Sequence, residues 1–188
     1  MHVSRLTQVF LVGWALFCVW TLAGLRSYYS VPMTVVERRV SYEVRSIPAH
    51  VVARIDVSLP WDEARSEYEG ILRSYMAPID ARASLVRELR GSNATALWMA
   101  LPTQYDGGSA PRPQNPLIRL VDMPERRMAV VPLVGWIGQD RIAKAEEELR
   151  GQLSGDRYVP FGSTRLVEYS PSWAPGFVRR SEVMISIH

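Results

Sequence analysis

The sequence predicts an α+β domain: duplicated strand–helix–strand units forming a curled, mostly antiparallel sheet, a distorted barrel, with two main helices, placed behind an N-terminal transmembrane helix. Three observations carry that prediction. The apolar period switches from 2 to about 3.6 residues and back again twice along the chain. Shifting the chain by 77 residues sets Val57 on Val134, Leu59 on Trp136 and Leu72 on Leu149, so strand and helix recur in one order. An uncharged apolar run, residues 9–25, precedes both units. With 188 residues and 47% hydrophobic content, the chain beyond that run buries one core, which divides the protein into an anchor at residues 1–29 and one globular domain at residues 30–188.

The run "VFLVGWALFCVWTLAGL" would be roughly 25 Å long as a helix at ~1.5 Å per residue, close to the ~30 Å hydrocarbon core. Trp14 and Trp20 lie within it, and Arg26, Tyr28 and Tyr29 come directly after, where interfacial anchors belong. A cleaved secretory signal is the alternative, with Thr21 and Ala23 as its small-residue pattern; the length favours an uncleaved anchor. Arginines flank both ends, Arg5 against Arg26, Arg38 and Arg39, so charge assigns no side.

"TVVERRVSYEVRSIP" (residues 34–48) alternates around Val36, Val40, Tyr42 and Val44 and predicts a strand. "HVVARIDVSL" (residues 50–59) predicts the next, joined to it at Pro48. A helix then starts at Asp62 and Glu63, sets Ala64, Tyr68, Ile71, Leu72 and Tyr75 on one face, and stops at Pro78. "ARASLVRELRGSN" (residues 81–93) predicts a second helical stretch with Leu85, Val86 and Leu89 on one side, ended by Gly91. "ALWMALPT" is a short apolar strand, and "QYDGGSAPRPQNP" a loop by composition. "NPLIRLVDMP" and "RMAVVPLVGW" are strands. "DRIAKAEEELRGQL" is an amphipathic helix with Ile142, Ala145, Leu149 and Leu153 inward, and "STRLVEYS" and "EVMISI" close the domain as strands.

The composition excludes several chemistries. Cys18 is the only cysteine and lies in the apolar run, so intrachain disulfides, cysteine zinc sites and a thiol nucleophile in the domain are ruled out. His2 and His188 are terminal, which leaves His50 alone in the body, and no GxSxG or HExxH motif accompanies it. The net charge of +3 is spread among nearly as many acids as bases, with no polybasic stripe, so nucleic acid is not an expected partner. Lys144 is the only lysine, which leaves little room for lysine chemistry.

The segment "YSPSWAPGFVRRSEV" resembles the closing motif of the SOUL haem-binding proteins, with Ser181 where the family usually has Asn. Three more patches keep the family's order: "YEVRSIPAHVVA" is similar to its opening hairpin, "RGSN" to its Gly-x-Asn turn, and "LWMALPT" to its Ile-Ala-Met-Thr-x-Pro-Val strand, with Ala100 in the place of Thr. Together they cover most of residues 34–187. The stretch from Trp61 to Gly91 exceeds the family's usual first helix, which implies an insertion around Pro78. Where family members have an axial histidine it comes directly after Tyr-Glu-Val-Arg, a place held here by Ser46.

The resemblance implies a non-catalytic binder of haem, not covalently held, or of a related tetrapyrrole, acting as carrier, buffer or sensor at the membrane. The domain would sit on the periplasmic side of a bacterial inner membrane, with a membrane complex as a further candidate partner. His50 is then the candidate iron ligand, the alternative being a surface histidine at a strand start. Met99 is either a thioether ligand or core. Trp98, Trp136, Trp173 and Phe177 either stack on a flat ligand or close the open end of the sheet, with Trp173 expected at the rim and Phe177 in the core. Arg179 and Arg180 suit propionate carboxylates, or are solvated. The SOUL fold also resembles the GyrI-like effector-binding domains. That likeness implies a rival reading, a small-molecule binder or hydrolase with Glu182 or Glu168 as its acid beside Tyr169; a structural subunit with a vestigial pocket is the third.

Overall fold

The computed structural model describes residues 13–14, 31–80, 82–170 and 174–188. The strands β1 (Thr34–Arg38) and β2 (Glu43–Ile47) lead into β3 (His50–Pro60), α1 (Trp61–Asp80), β4 (Leu85–Arg90) and β5 (Asn93–Ala100). Then β6 (Arg119–Met123) leads into β7 (Arg126–Val134), α2 (Gln139–Gly155), β8 (Pro160–Glu168), a 3-10 turn at Gly176–Val178 and β9 (Arg180–Ile187).

The strands form one nine-stranded sheet of order β1-β2-β7-β9-β8-β4-β5-β3-β6, antiparallel at every pairing. Each half of that order repeats the other: β4-β5-β3 matches β8-β9-β7, and the halves meet where β4 pairs with β8. The leading strands are exchanged, since β2 pairs with β7 of the second half and β6 with β3 of the first. That exchange bends the sheet. β2 and β3 lie near opposite ends of the order, yet only Pro48 and Ala49 separate Ile47 from His50, a reach of at most about 11 Å. Pro124 and Glu125 make the same link between β6 and β7. The sheet therefore curls, as the expected distorted barrel does, until its two sides approach along a seam, but it does not close: β1 and β6 remain its edges.

Strand alternation divides the core between two faces. Both helices pack on one face, α1 against β3, β4 and β5, and α2 against β7, β8 and β9. There Val51, Ala53, Ile55, Leu97 and Met99 meet Ala64, Leu72 and Met76 of α1, while Leu149 and Leu153 of α2 meet Ala129 and Ile185. The other, concave face gathers Val52, Val86, Trp98, Met128, Val130, Val167 and Met184.

Three expectations need correction. Residues 81–93 are not a helix but β4 and the turn into β5. Leu85 and Leu89 suit either period, and a strand buried on both faces loses the polar alternation that would have identified it; Gly91 takes φ 61° at the turn, where an L side chain is strained. The long strand predicted over residues 34–48 is two strands around a tight turn, with Val40 fully exposed on it. Pro78 does not stop α1, which runs to Asp80: in the last turn its missing N–H removes one terminal bond only. The predicted anchor, residues 9–25, lies outside the described residues apart from Gly13 and Trp14, and among the described residues no helix is long and apolar enough to cross a membrane.

An ion-pair chain fastens α1 to the sheet. Arg73 and Arg65 each place Nε 2.8 Å from a different oxygen of Glu69, Arg65 reaches Glu168 of β8 at 2.8 Å, and Glu168 meets Arg87 of β4 at 2.7 Å. Burial alone would raise the Glu69 pKa, but the hydrogen bonds and charges of Arg65 and Arg73 outweigh it and hold the carboxyl below its ordinary 4.5. A depressed folded-state pKa contributes stability above the unfolded value, and that stability is lost as pH falls through the folded one. Acid unfolding curves should therefore show stability dropping below about pH 4.5, and Glu69→Gln should flatten that limb; an unaltered limb would contradict the linkage.

Candidate functional site

Beneath the seam, on the concave face, lies a cavity of about 40 Å³ whose walls include Val31, Met33, His50, Trp98, Arg165 and Met184. His50 opens β3 directly after the Pro48–Ala49 link, so its position is set by the covalent bridge across the seam. Its Nδ1 lies 2.8 Å from the Pro48 carbonyl oxygen. An oxygen acceptor there requires Nδ1 to carry the proton, which leaves the lone pair on Nε2. That Nε2 is buried and has no hydrogen-bond partner.

The indole of Trp98 stands 6.2 Å from the His50 ring, centroid to centroid, tilted by 40°, and its Nε1 is also buried without a partner. The Arg165 guanidinium carbon lies 5.7 Å from the centre of the same indole, within cation–π range. Arg165 Nε approaches Glu88 only to 3.4 Å, because Glu88 is held by Arg54 at 2.9 Å, and this Nε too lacks a hydrogen bond. Three residues lining one small apolar cavity thus each carry a buried nitrogen without a hydrogen bond, an arrangement that costs stability unless something polar meets them.

The electrostatics are one-sided. Burial, then Arg126, disfavours the charge of Arg165 and pushes its pKa down to about 10, still charged at neutral pH. Burial also lowers Arg126. Burial first, then Arg126 and Arg165, lower the pKa of His50 against the opposing bond to Pro48, so the imidazole is neutral at pH 7. Farther along the same face, Glu182 accepts from Arg45 at 3.0 and 3.1 Å and from the Tyr169 hydroxyl at 2.6 Å. Burial, then the Glu182 charge, raises the Tyr169 pKa far above the ordinary tyrosine value.

Of the residues singled out in the sequence, the fold brings His50 and Trp98 together. Met99 comes after Trp98 on the same strand and therefore points to the opposite face, fully buried under α1; as a ligand in this cleft it is excluded by the pleat. Trp136, Phe177, Arg179 and Arg180 gather elsewhere, where the end of β7 meets the start of β9: Val134 pairs with Arg180, Gly135 donates to the Arg179 carbonyl at 2.9 Å, and a Cβ on Gly176 would run into the Trp136 ring. Phe177, expected in the core, is 70% exposed, because the 3-10 turn at Gly176–Val178 rotates it outward while Gly176 takes the buried place. Arg179 donates to the Ala174 carbonyl, bracing the loop. Trp173 lies outside the described residues. Glu168 faces the helices in the Arg65–Arg87 chain, so of the two candidate acids only Glu182 shares the concave face and meets Tyr169.

Sequence reasoning misses Arg165, Arg126, Val86, Met184, Val31 and Met33. Arg165 leaves a signal, a charge at an inward position of the alternating stretch "STRLVEYS". A larger groove of about 550 Å³ runs between the second half of α1 and residues 111–118, lined by Ile71, Tyr75, Pro78 and Ile118. Its Tyr75 hydroxyl is satisfied by the Pro111 carbonyl at 2.7 Å, and among the described residues none of its polar side chains is buried without a partner.

The fold is shared with the C-terminal domain of EcmrR (TM-score 0.63, 13% identity, covering 78% of this chain and 98% of that one). EcmrR in its DNA complex matches at TM-score 0.63 and 14% identity over 81% of this chain, which spans 59% of that longer one. A hydrolase from Listeria innocua matches at TM-score 0.59 and 10% identity, over 81% of this chain and 94% of its own. No curated protein matches the sequence. Identities this low carry the architecture alone. The sequence itself goes further: residues 28–186 match the SOUL heme-binding protein family, and the chain belongs to that family.

Proposed function

We propose that this chain binds haem or a related tetrapyrrole in the concave cleft without catalysing a reaction, with His50 Nε2 as the nitrogen that would ligate the iron. The observation that carries the reading is the His50 side chain: proton fixed on Nδ1 by Pro48, lone pair on a buried Nε2 that nothing in the protein uses. Haem supplies an iron that accepts a neutral imidazole nitrogen, a flat apolar macrocycle and two carboxylates. Trp98, Val86 and Met184 offer the apolar walls. Arg165, which lines the cavity, takes the carboxylate role expected of Arg179 and Arg180, with the charge of Arg126 felt at His50 beside it. The donors fit the group, whereas the cavity as it stands does not: pockets for ligands of this size run about 300–1,000 Å³.

The protein's role is that of a carrier, buffer or sensor, held by residues 9–25 in a bacterial inner membrane with the domain on the periplasmic side. Titrating the full chain in detergent with hemin tests the reading. A saturable Soret shift at micromolar hemin is the expected result, and its absence overturns the proposal.

The contact between Tyr169 and Glu182 favours a second reading, a GyrI-like binder or hydrolase with Glu182 as acid, and the likeness to the Listeria innocua hydrolase is of the same kind. It is the weaker of the two, because both Glu182 oxygens already accept hydrogen bonds from Arg45. Turnover of an aromatic ester that is lost in Glu182→Gln, with hemin binding intact, would establish it.

A further inference from the structure

Haem binding leaves a mismatch between the chemistry of the cleft and its volume, and the chain just before β1 accounts for it. Val31 is 7% exposed and packs with Met33 into the concave cluster, where both line the cavity beside His50. Neither residue belongs to a strand. The pairing of β1 with β2 begins at Thr34, opposite Ser46. Running back from Thr34, antiparallel to β2, the chain passes alongside Ile47 toward His50, which places residues 31–33 along the seam.

The other apolar walls are of a different kind. Val86, Trp98, Val167 and Met184 stand on β4, β5, β8 and β9, each laddered to a neighbour on both sides. Moving any of them breaks main-chain hydrogen bonds; moving residues 31–33 breaks no strand pairing. Packing of Val31 and Met33 into the concave cluster holds this segment against the cleft.

We propose that residues 31–33 are a strap lying in the ligand's place, so that ligand and strap occupy the cleft alternately and loading frees the strap. This rests on the haem reading and adds to it a competitor carried by the chain itself. A binding-competent state populated only in part weakens apparent affinity by the populated fraction, and loosening the strap removes that penalty.

Two measurements on the full chain in detergent test this, with hemin as the probe. Amide hydrogen exchange at Val31 and Met33 should quicken at least about tenfold when hemin is added, and a Val31→Ser/Met33→Ser variant should bind hemin at least about tenfold more tightly than the wild type. If hemin binds with a His50-dependent Soret band while exchange at residues 31–33 is unchanged and the variant binds no tighter, the strap is overturned and the haem reading stands. If neither protein binds hemin, both fall. Should the variant fail to fold, exchange in the wild type decides alone.

Discussion

Replacing His50 by alanine should remove the histidine-ligated Soret signature and weaken hemin binding by at least about 100-fold, judging from the 10–100-fold losses that come even from removal of outer-shell partners of a ligand. The other lone pairs on the cavity wall include the thioethers of Met33 and Met184, whose ligation would not give the histidine-ligated band. Within the cavity His50 supplies the lone pair through Nε2, while the unpartnered nitrogens of Trp98 and Arg165 carry protons and can only donate. No second imidazole lines the cavity among the described residues, and Met99 is on the wrong face. The same change should cost little stability, within about 1 kcal/mol, because the ring is half-buried and its removal also removes an unsatisfied buried nitrogen. Hemin titration and urea unfolding of one variant separate the two effects. Unchanged affinity would show that His50 is no ligand, and a large loss of stability would show that it is packing.

The second large effect concerns the other face. Arg87→Ala should destabilise the domain by about 3–5 kcal/mol, the cost of stranding one member of a buried ion pair. Arg87 is 1% exposed and sits 2.7 Å from Glu168, which Arg65 alone would then have to balance. By contrast the pair between Lys144 and Glu148 is exposed on α2 at 3.9 Å, and Lys144→Ala should cost about 0–1 kcal/mol. Urea midpoints measure both, and equal losses at the two positions would contradict the assignment of the Arg87–Glu168 pair as a buried fastener between β4, β8 and α1.

What can be read from the residues tracks where burial is one-sided. The α2 helix is legible because Ile142, Ala145, Leu149 and Leu153 face the sheet and are its buried residues. β4 is not, because Arg87 is buried on one face and Glu88 on the other, leaving no polar stripe to set the period. The duplication is visible as the 77-residue shift, but the exchange of β2 and β6 is not, since strand order is decided by pairings far apart in the chain. His50 and Trp98 stand out in the sequence as a histidine and an aromatic near strands. Arg165 and Arg126 are hidden by number: in a chain with one lysine and many arginines, only the fold shows which of them come close to His50. Phe177 departs from expectation for a local reason, a 3-10 turn that reverses the facing suggested by its distance to β9.

The cleft beneath the seam, rather than the α1 groove or the Trp136–Phe177 corner, is the place we assign to the tetrapyrrole. Anomalous diffraction at the iron edge from crystals of the hemin-loaded protein decides among the three. A single iron peak within bonding distance of His50 Nε2, beside Trp98, with residues 31–33 displaced, is the expected result. A peak beside Tyr75 in the α1 groove, or at Arg179 and Trp136, would contradict it.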